Sequence, residues 1–204
     1  MRGIRVYVEG GGDSRATKAE IRRGFGGFLR SLREAARQRR LRWDVIACGS
    51  RGPALAAFRR ACDDHPDAFN VLLVDSESPV GASPTEHLRR ADNWRIDQPD
   101  EHCHLMVQTM EAWIIADVET LRAFYGQGFQ DSAICSTQNV EQIDKAALVP
   151  ALTKASRRTQ KGGYHKIHHA GRLLGLLDAA VVRSKARHCE RLFATLTKVI
   201  AESR

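Results

Sequence analysis

Two short apolar runs, each closed by carboxylates, limit what this chain can become. Ile4-Arg5-Val6-Tyr7-Val8 runs into Glu9-Gly10-Gly11-Gly12-Asp13, and Val71-Leu72-Leu73-Val74 runs into Asp75-Ser76-Glu77. Short runs of β-branched and aliphatic residues bounded by turn formers read as buried strands. Helical patterns separate them, which predicts a parallel sheet with right-handed crossovers. The acids then fall at the carboxyl ends of the strands, where open α/β sheets bind ligands. Carboxylates gathered there repel one another, so the cluster calls for protons or a divalent cation.

The remaining elements follow from periodicity and punctuation. Strands are expected at 4–9, 43–48, 69–75 and 104–108. Helices are expected at 15–38, 53–64, 84–92, 110–124, 140–158, 166–182 and 184–202. Asp13 or Ser14 is a good N-cap for the first helix. Gly24, Gly26 and Gly27 interrupt that helix and predict close packing or a local irregularity. The fold class expected is α/β, a mostly parallel sheet flanked by helices. Residues 1–126 would form the α/β domain, and residues 127–204 a helical, basic C-terminal extension packed on it.

Charge divides the chain more sharply than its net +8 implies. Residues 14–42 carry ten basic against two acidic residues, residues 43–153 eight against seventeen, and residues 154–191 ten against two. Two basic segments thus flank an acidic middle. Basic faces attract phosphate polymers and an acidic centre can hold metal, although Arg-rich helices are also commonly just solvated surface. No apolar run approaches the roughly 20 residues that cross a membrane. No signal peptide is evident, so a cytoplasmic protein is expected, with no membrane partner. The cysteines number five, with no CxxC pair, which argues against a disulfide framework or zinc ribbon.

Four groups of residues carry candidate chemistry. Asp75 and Glu77, two apart on a strand, would point to the same side and share one cation. Hard oxygen ligands of this kind suit Mg²⁺ or Mn²⁺. Glu9, at a neighbouring tip, would bind a second ion or act as general acid/base, the combination phosphoryl transfer requires. Strand-end acids are also ordinary turn formers, so the pattern draws its weight from two tips sharing it. The Gly10-Gly11-Gly12-Asp13 turn lacks the endings of nucleotide-binding loops, so Asp13 reads as part of the acid cluster. Glu111, in Met110-Glu111-Ala112-Trp113, opens a helix. There it is either stabilised by the helix dipole or joins the acidic site. Finally, Gly163-Tyr164-His165-Lys166-Ile167-His168-His169 lies near Lys161 and Arg172. His165 and His169 have zinc-ligand spacing but no completing acid or thiol, so Lys161, His165, Lys166 and Arg172 read better as a phosphate-contacting patch, with Arg51 beside the second strand.

The segments Val8-Glu9-Gly10, Leu73-Val74-Asp75-Ser76-Glu77, Met110-Glu111-Ala112-Trp113 and Gly163-Tyr164-His165-Lys166 resemble, over nearly the whole chain, the bacterial family grouped as domain of unknown function 4276. Their order also resembles TOPRIM domains, the fold of topoisomerases, primases and the overcoming-lysogenization-defect nucleases. The resemblance implies a TOPRIM-like sheet in which Glu9 matches the glutamate after the first strand. Asp75 and Glu77 match the metal-binding pair, here Asp-x-Glu rather than Asp-x-Asp. It further implies a Mg²⁺- or Mn²⁺-dependent nuclease, with Asp13 or Glu111 as extra ligands, acting on nucleic acid, with an ATPase partner in a phage-defence or mobile-element system. The competing expectation is a non-catalytic module that binds nucleic acid or an ATPase. A nucleotide phosphotransferase is a third, weakened by the missing Walker signature.

Overall fold

Alternation along each strand decides which helices cover which face of the sheet. The computed structural model describes residues 1–12 and 14–203. Strands β1 (Gly3–Val8), β2 (Arg42–Ala47), β3 (Ala68–Asp75) and β4 (Cys103–Met106) pair in parallel in the order β2-β1-β3-β4. Ile4, Val6, Val8, Val71, Leu73 and Met106 turn to one face; Tyr7, Leu72, Val74, Cys103 and Leu105 turn to the other. β3, central and apolar on both sides, is the continuous Val71–Val74 run that parallel sheets require.

Helices α1 (Arg15–Phe28) and α2 (Arg30–Gln38) carry the chain from β1 to β2 across the first face. α3 (Arg51–Asp64) returns it to β3 across the second, and α4 (Pro84–Asp92) precedes β4 on that side. The first face also receives α5 (Met110–Ala116), α6 (Val118–Tyr125), α7 (Lys145–Ser156), α8 (Lys166–Leu174), α9 (Ala179–Lys185) and α10 (Arg187–Glu202). Winding therefore reverses between β1 and β3, and a crevice opens at their carboxyl ends.

The α/β class is as the sequence implied, but several long helices are divided. The expected 15–38 helix breaks at Leu29, and the 110–124 helix breaks at Asp117. Asp117 caps α6 by accepting from the Thr120 N–H at 3.1 Å, and it also accepts the Asp178 N–H at 2.9 Å. Asp144 caps α7 in the same way, through the Ala146 N–H at 2.7 Å, so that helix starts at 145 rather than 140. Asp178 caps α9, dividing 166–182 into two.

The glycines of α1 mark close packing. A Cβ on Gly24 would lie 2.4 Å from the Gly171 carbonyl oxygen, and one on Gly27 2.7 Å from that of Gly175. Bare backbone is what lets α1 and α8 touch. Residues on both sides of position 126 share one apolar cluster, from Ile4 and Leu73 through Trp113 to Leu192 and Ile200. Among the described residues no helix is long and apolar enough to cross a membrane.

Candidate functional site

Glu9 follows the last residue of β1, and its N–H extends the ladder by donating to the Leu73 carbonyl at 3.0 Å. Its side chain folds back over the tip of β3, where Oε2 accepts the Asp75 N–H at 3.0 Å. Asp75 ends β3, and its Oδ1 accepts the Met110 N–H at 2.9 Å. Glu77 lies just beyond the strand at φ 64° and not on it, so a left-handed turn, rather than strand periodicity, brings it round. Its N–H donates to the Gln108 carbonyl at 2.9 Å. One carboxylate oxygen from each of Glu9, Asp75 and Glu77 lies within 4.8 Å of the others.

The fold resists charge at this cluster. Burial is the main reason that Glu9 is pushed up to about 7; the Asp75 N–H and the Arg51 cation pull it down, and the Glu77 charge pushes it up. Asp75 is raised well above the usual carboxylate range, by burial first and then by the charges of Glu9 and Glu111. Cations stand close by. Arg51 Nε lies 3.6 Å from Glu9 Oε2, while its two terminal nitrogens clamp Asp92 at 2.7 and 2.8 Å and its guanidinium covers the Trp94 ring. Lys145 pairs with Glu77. Arg51 Nε is buried without a hydrogen-bond partner, so this side of the site holds an unspent donor.

A cleft of about 400 Å³ opens beside the tips, lined by Glu9, Asp75, Glu111, Lys166 and the Gly10–Gly12 turn. That turn needs its glycines. All three have positive φ, and a Cβ on Gly11 would meet the Lys18 backbone at 2.8 Å. Ser14 caps α1 through the Thr17 N–H at 3.1 Å. The far wall is the start of α8, held at that distance by the glycine contact with α1.

The family model described as Domain of unknown function (DUF4276) matches residues 8–197. The chain belongs to this family. The DUF4276 match takes in both strand tips, Glu111, Tyr164 and most of α10. No curated protein and no solved structure matches the chain.

The other expected site residues of this DUF4276 chain fall in different places. Glu111 is buried at 2% exposure and lines the cleft, but it lies outside the three-carboxylate cluster. It accepts from Thr109 Oγ1 at 2.8 Å and from the Tyr164 hydroxyl at 3.1 Å, with Lys166 Nζ at 3.2 Å. It thus anchors a lysine at the cleft. Asp13 lies outside the described residues. Arg51 is committed to Glu9 and Asp92 rather than projecting freely. His169 uses Nδ1 for the His165 N–H and the Tyr125 hydroxyl, and His165, exposed, caps α8 through its own Nδ1, so both Nδ1 atoms already hold hydrogen bonds. Lys161 and Arg172 stand together over Phe124, at 5.3 and 5.5 Å from the ring centroid. Sequence reasoning missed Asp92, Trp94, Lys145 and Thr109. Asp92, Trp94 and Lys145 each partner a charged residue from a distant segment, and no local pattern announces such a role, whereas Thr109 sits two residues before the Glu111 it bonds.

The donor set fits a hard divalent cation. Among the described residues, hydrogen bonds use Oε2 of Glu9, Oδ1 of Asp75 and Oε2 of Glu77, which leaves one oxygen of each carboxylate. An all-oxygen set of this size suits Mg²⁺ or Mn²⁺ with water completing the shell, rather than zinc.

Proposed function

We propose that this DUF4276 chain is a Mg²⁺- or Mn²⁺-dependent nuclease with a TOPRIM-like site, acting on phosphodiester bonds. The observation that carries the reading is the meeting of three carboxylates at the reversal point of a parallel sheet, with two of them disfavouring their own charge. Such a cluster gains from a cation in a way that a set of exposed turn acids does not. Asp75 and Glu77 would hold the ion, with Glu9 sharing it or handling protons. When bound, the ion supplies charge neutralisation and polarisation of the phosphate.

The chain's own groups account for the rest. Glu9, titrating near neutrality, can take a proton from an attacking water or return one to a leaving oxygen. Lys166, held by Glu111, supplies a cation at the cleft for a phosphate oxygen. Arg51 is anchored on Asp92 and keeps Glu9 oriented. The resemblance of Val8-Glu9-Gly10 and Asp75-Ser76-Glu77 to TOPRIM nucleases supports the same assignment.

One observation favours a second reading, a non-catalytic nucleic-acid or ATPase-binding module. Glu9 and Glu77 already have Arg51 and Lys145 as partners, so the cluster is partly neutralised from within. Calorimetric titration of Mg²⁺ and Mn²⁺ into wild type and Asp75→Asn separates the two. The nuclease reading expects binding that is lost in the variant, and metal-dependent cleavage lost with it, while nucleic-acid binding persists or tightens. Absence of cation binding by folded wild type would favour the module.

A further inference from the structure

The acidic cleft does not end at its far wall. Glu20 and Gly171 line both the cleft and a second, more open groove, where α1 crosses α8 beside Arg23, Lys161 and Arg172. Arg23 in turn belongs to a third depression with Arg22, Arg30 and Arg33, running over Gly26 and Gly27 to α2. The three are contiguous through shared residues. Part of the floor is the backbone of Gly24, Gly171 and Gly175, bare for the same reason that the helices touch there, with Phe124 and Leu176 beside it.

The cations along this path are exposed and, among the described residues, none of the six has a carboxylate within ion-pair distance. Unpaired arginines occur elsewhere too, but here they line one continuous depression, whereas the arginine beside the acidic tips, Arg51, is held by Asp92. Lys161 and Arg172 are moreover held against one Phe124 ring, two like charges kept together by packing rather than by an anion. Glu20 is the lone acid lining the first two segments outside the tips and Glu111, and it sits at their junction.

We propose that this groove is a track for the phosphate backbone of a polynucleotide, leading from the acidic cleft along α1 to Arg30 and Arg33. The inference rests on the nuclease reading for what happens in the cleft, but not for the binding itself. From Glu20 to Arg33 the helical path is about 20 Å at 1.5 Å per residue. At the 3.4 Å axial rise per nucleotide of a duplex strand, that length spans about six nucleotides. The substrate is therefore a polymer rather than a mononucleotide, and it extends from the cleft toward α2. The groove makes no contact that selects a base, so recognition along it is by charge and spacing.

The test is fluorescence-anisotropy binding, without divalent metal, of single- and double-stranded DNA and RNA oligonucleotides. Wild type is compared with Arg23→Ala/Arg30→Ala/Arg33→Ala, a triple change of exposed residues whose folding is checked by thermal melting. The track predicts that oligonucleotides of about twenty nucleotides bind wild type at least tenfold more tightly than those of about three. It also predicts that the triple variant loses at least tenfold for the long probe, with a salt slope shallower by about two to three. The four probe types establish which backbone form fits. Equal binding by folded wild type and triple variant would overturn the proposal, as would length-independent binding or equally tight capture of polyglutamate, a polyanion without phosphates. Cleavage by wild type that the triple change leaves intact on long substrates would remove the track and spare the cleft. Polymer binding lost in the variant, with no cleavage by wild type under any divalent ion, would do the reverse.

Discussion

Glu9 is the residue whose titration can be read most directly, because its carboxyl is moved from 4.5 to about 7 by burial at the tip of β1. Between those values the folded protein binds a proton that the unfolded chain has released. Its contribution to stability is therefore complete below about pH 4.5 and is lost as pH rises through about 7. At 1.36 kcal/mol per unit the full effect is on the order of 3 kcal/mol. In the absence of divalent cations, the melting temperature should fall between about pH 5 and about pH 7.5. Glu9→Gln, which keeps an oxygen for the Asp75 N–H, should flatten the decline, and Mg²⁺ should offset it in wild type. Parallel pH profiles for the two proteins would remove burial as the cause. At this scale the sequence was informative about the acids themselves, since Glu9 and Asp75 each directly follow an apolar run and Glu77 lies two residues beyond Asp75. It was silent about what holds them, because Asp92, Lys145 and Tyr164 arrive from other parts of the chain.

Elements were legible wherever apolar periodicity was uninterrupted and blurred where a single aspartate stopped a helix. All four strands and α4 lie close to their expected positions. Asp117, Asp144 and Asp178 each begin a new helix inside an otherwise helical pattern, and an N-cap is hard to tell from a surface acid without its partner N–H. The glycines of α1 give the sharper test at this scale. Gly24→Ala places a Cβ against the Gly171 carbonyl and should cost about 1–3 kcal/mol or more in urea denaturation. Gly26→Ala, whose nearest neighbour would be Arg33 at 3.9 Å, should be neutral or gain about 0.5–1 kcal/mol. If both changes cost the same, the contact between α1 and α8 is not what the glycines serve.

At the scale of the whole molecule, the helices after position 126 complete the core on one face of the sheet. Trp113 stacks on Phe28 at 5.3 Å between centroids, Phe28 meets Phe193 of α10, and Arg191 of α10 donates to the Cys103 carbonyl of β4 at 2.8 Å. Burying one such large apolar side chain contributes about 1.5–3 kcal/mol. A fragment of residues 1–126 should therefore fail to fold. The full chain should unfold in one transition, with tryptophan fluorescence and far-ultraviolet circular dichroism giving coincident midpoints. Separate transitions would show that the two parts unfold as independent units. The charge segments visible in the sequence mapped onto this whole in a way no local pattern could foretell, because the groove joining them exists only where α1 crosses α8.

The bond from the Asp75 amide to Glu9 has a practical consequence. That amide proton sits between the two strand tips and feels the charge on the carboxylate it touches. Its resonance in a nitrogen–proton correlation spectrum is a built-in gauge, which should move with the titration of Glu9 and move again when a cation arrives, before any substrate is known.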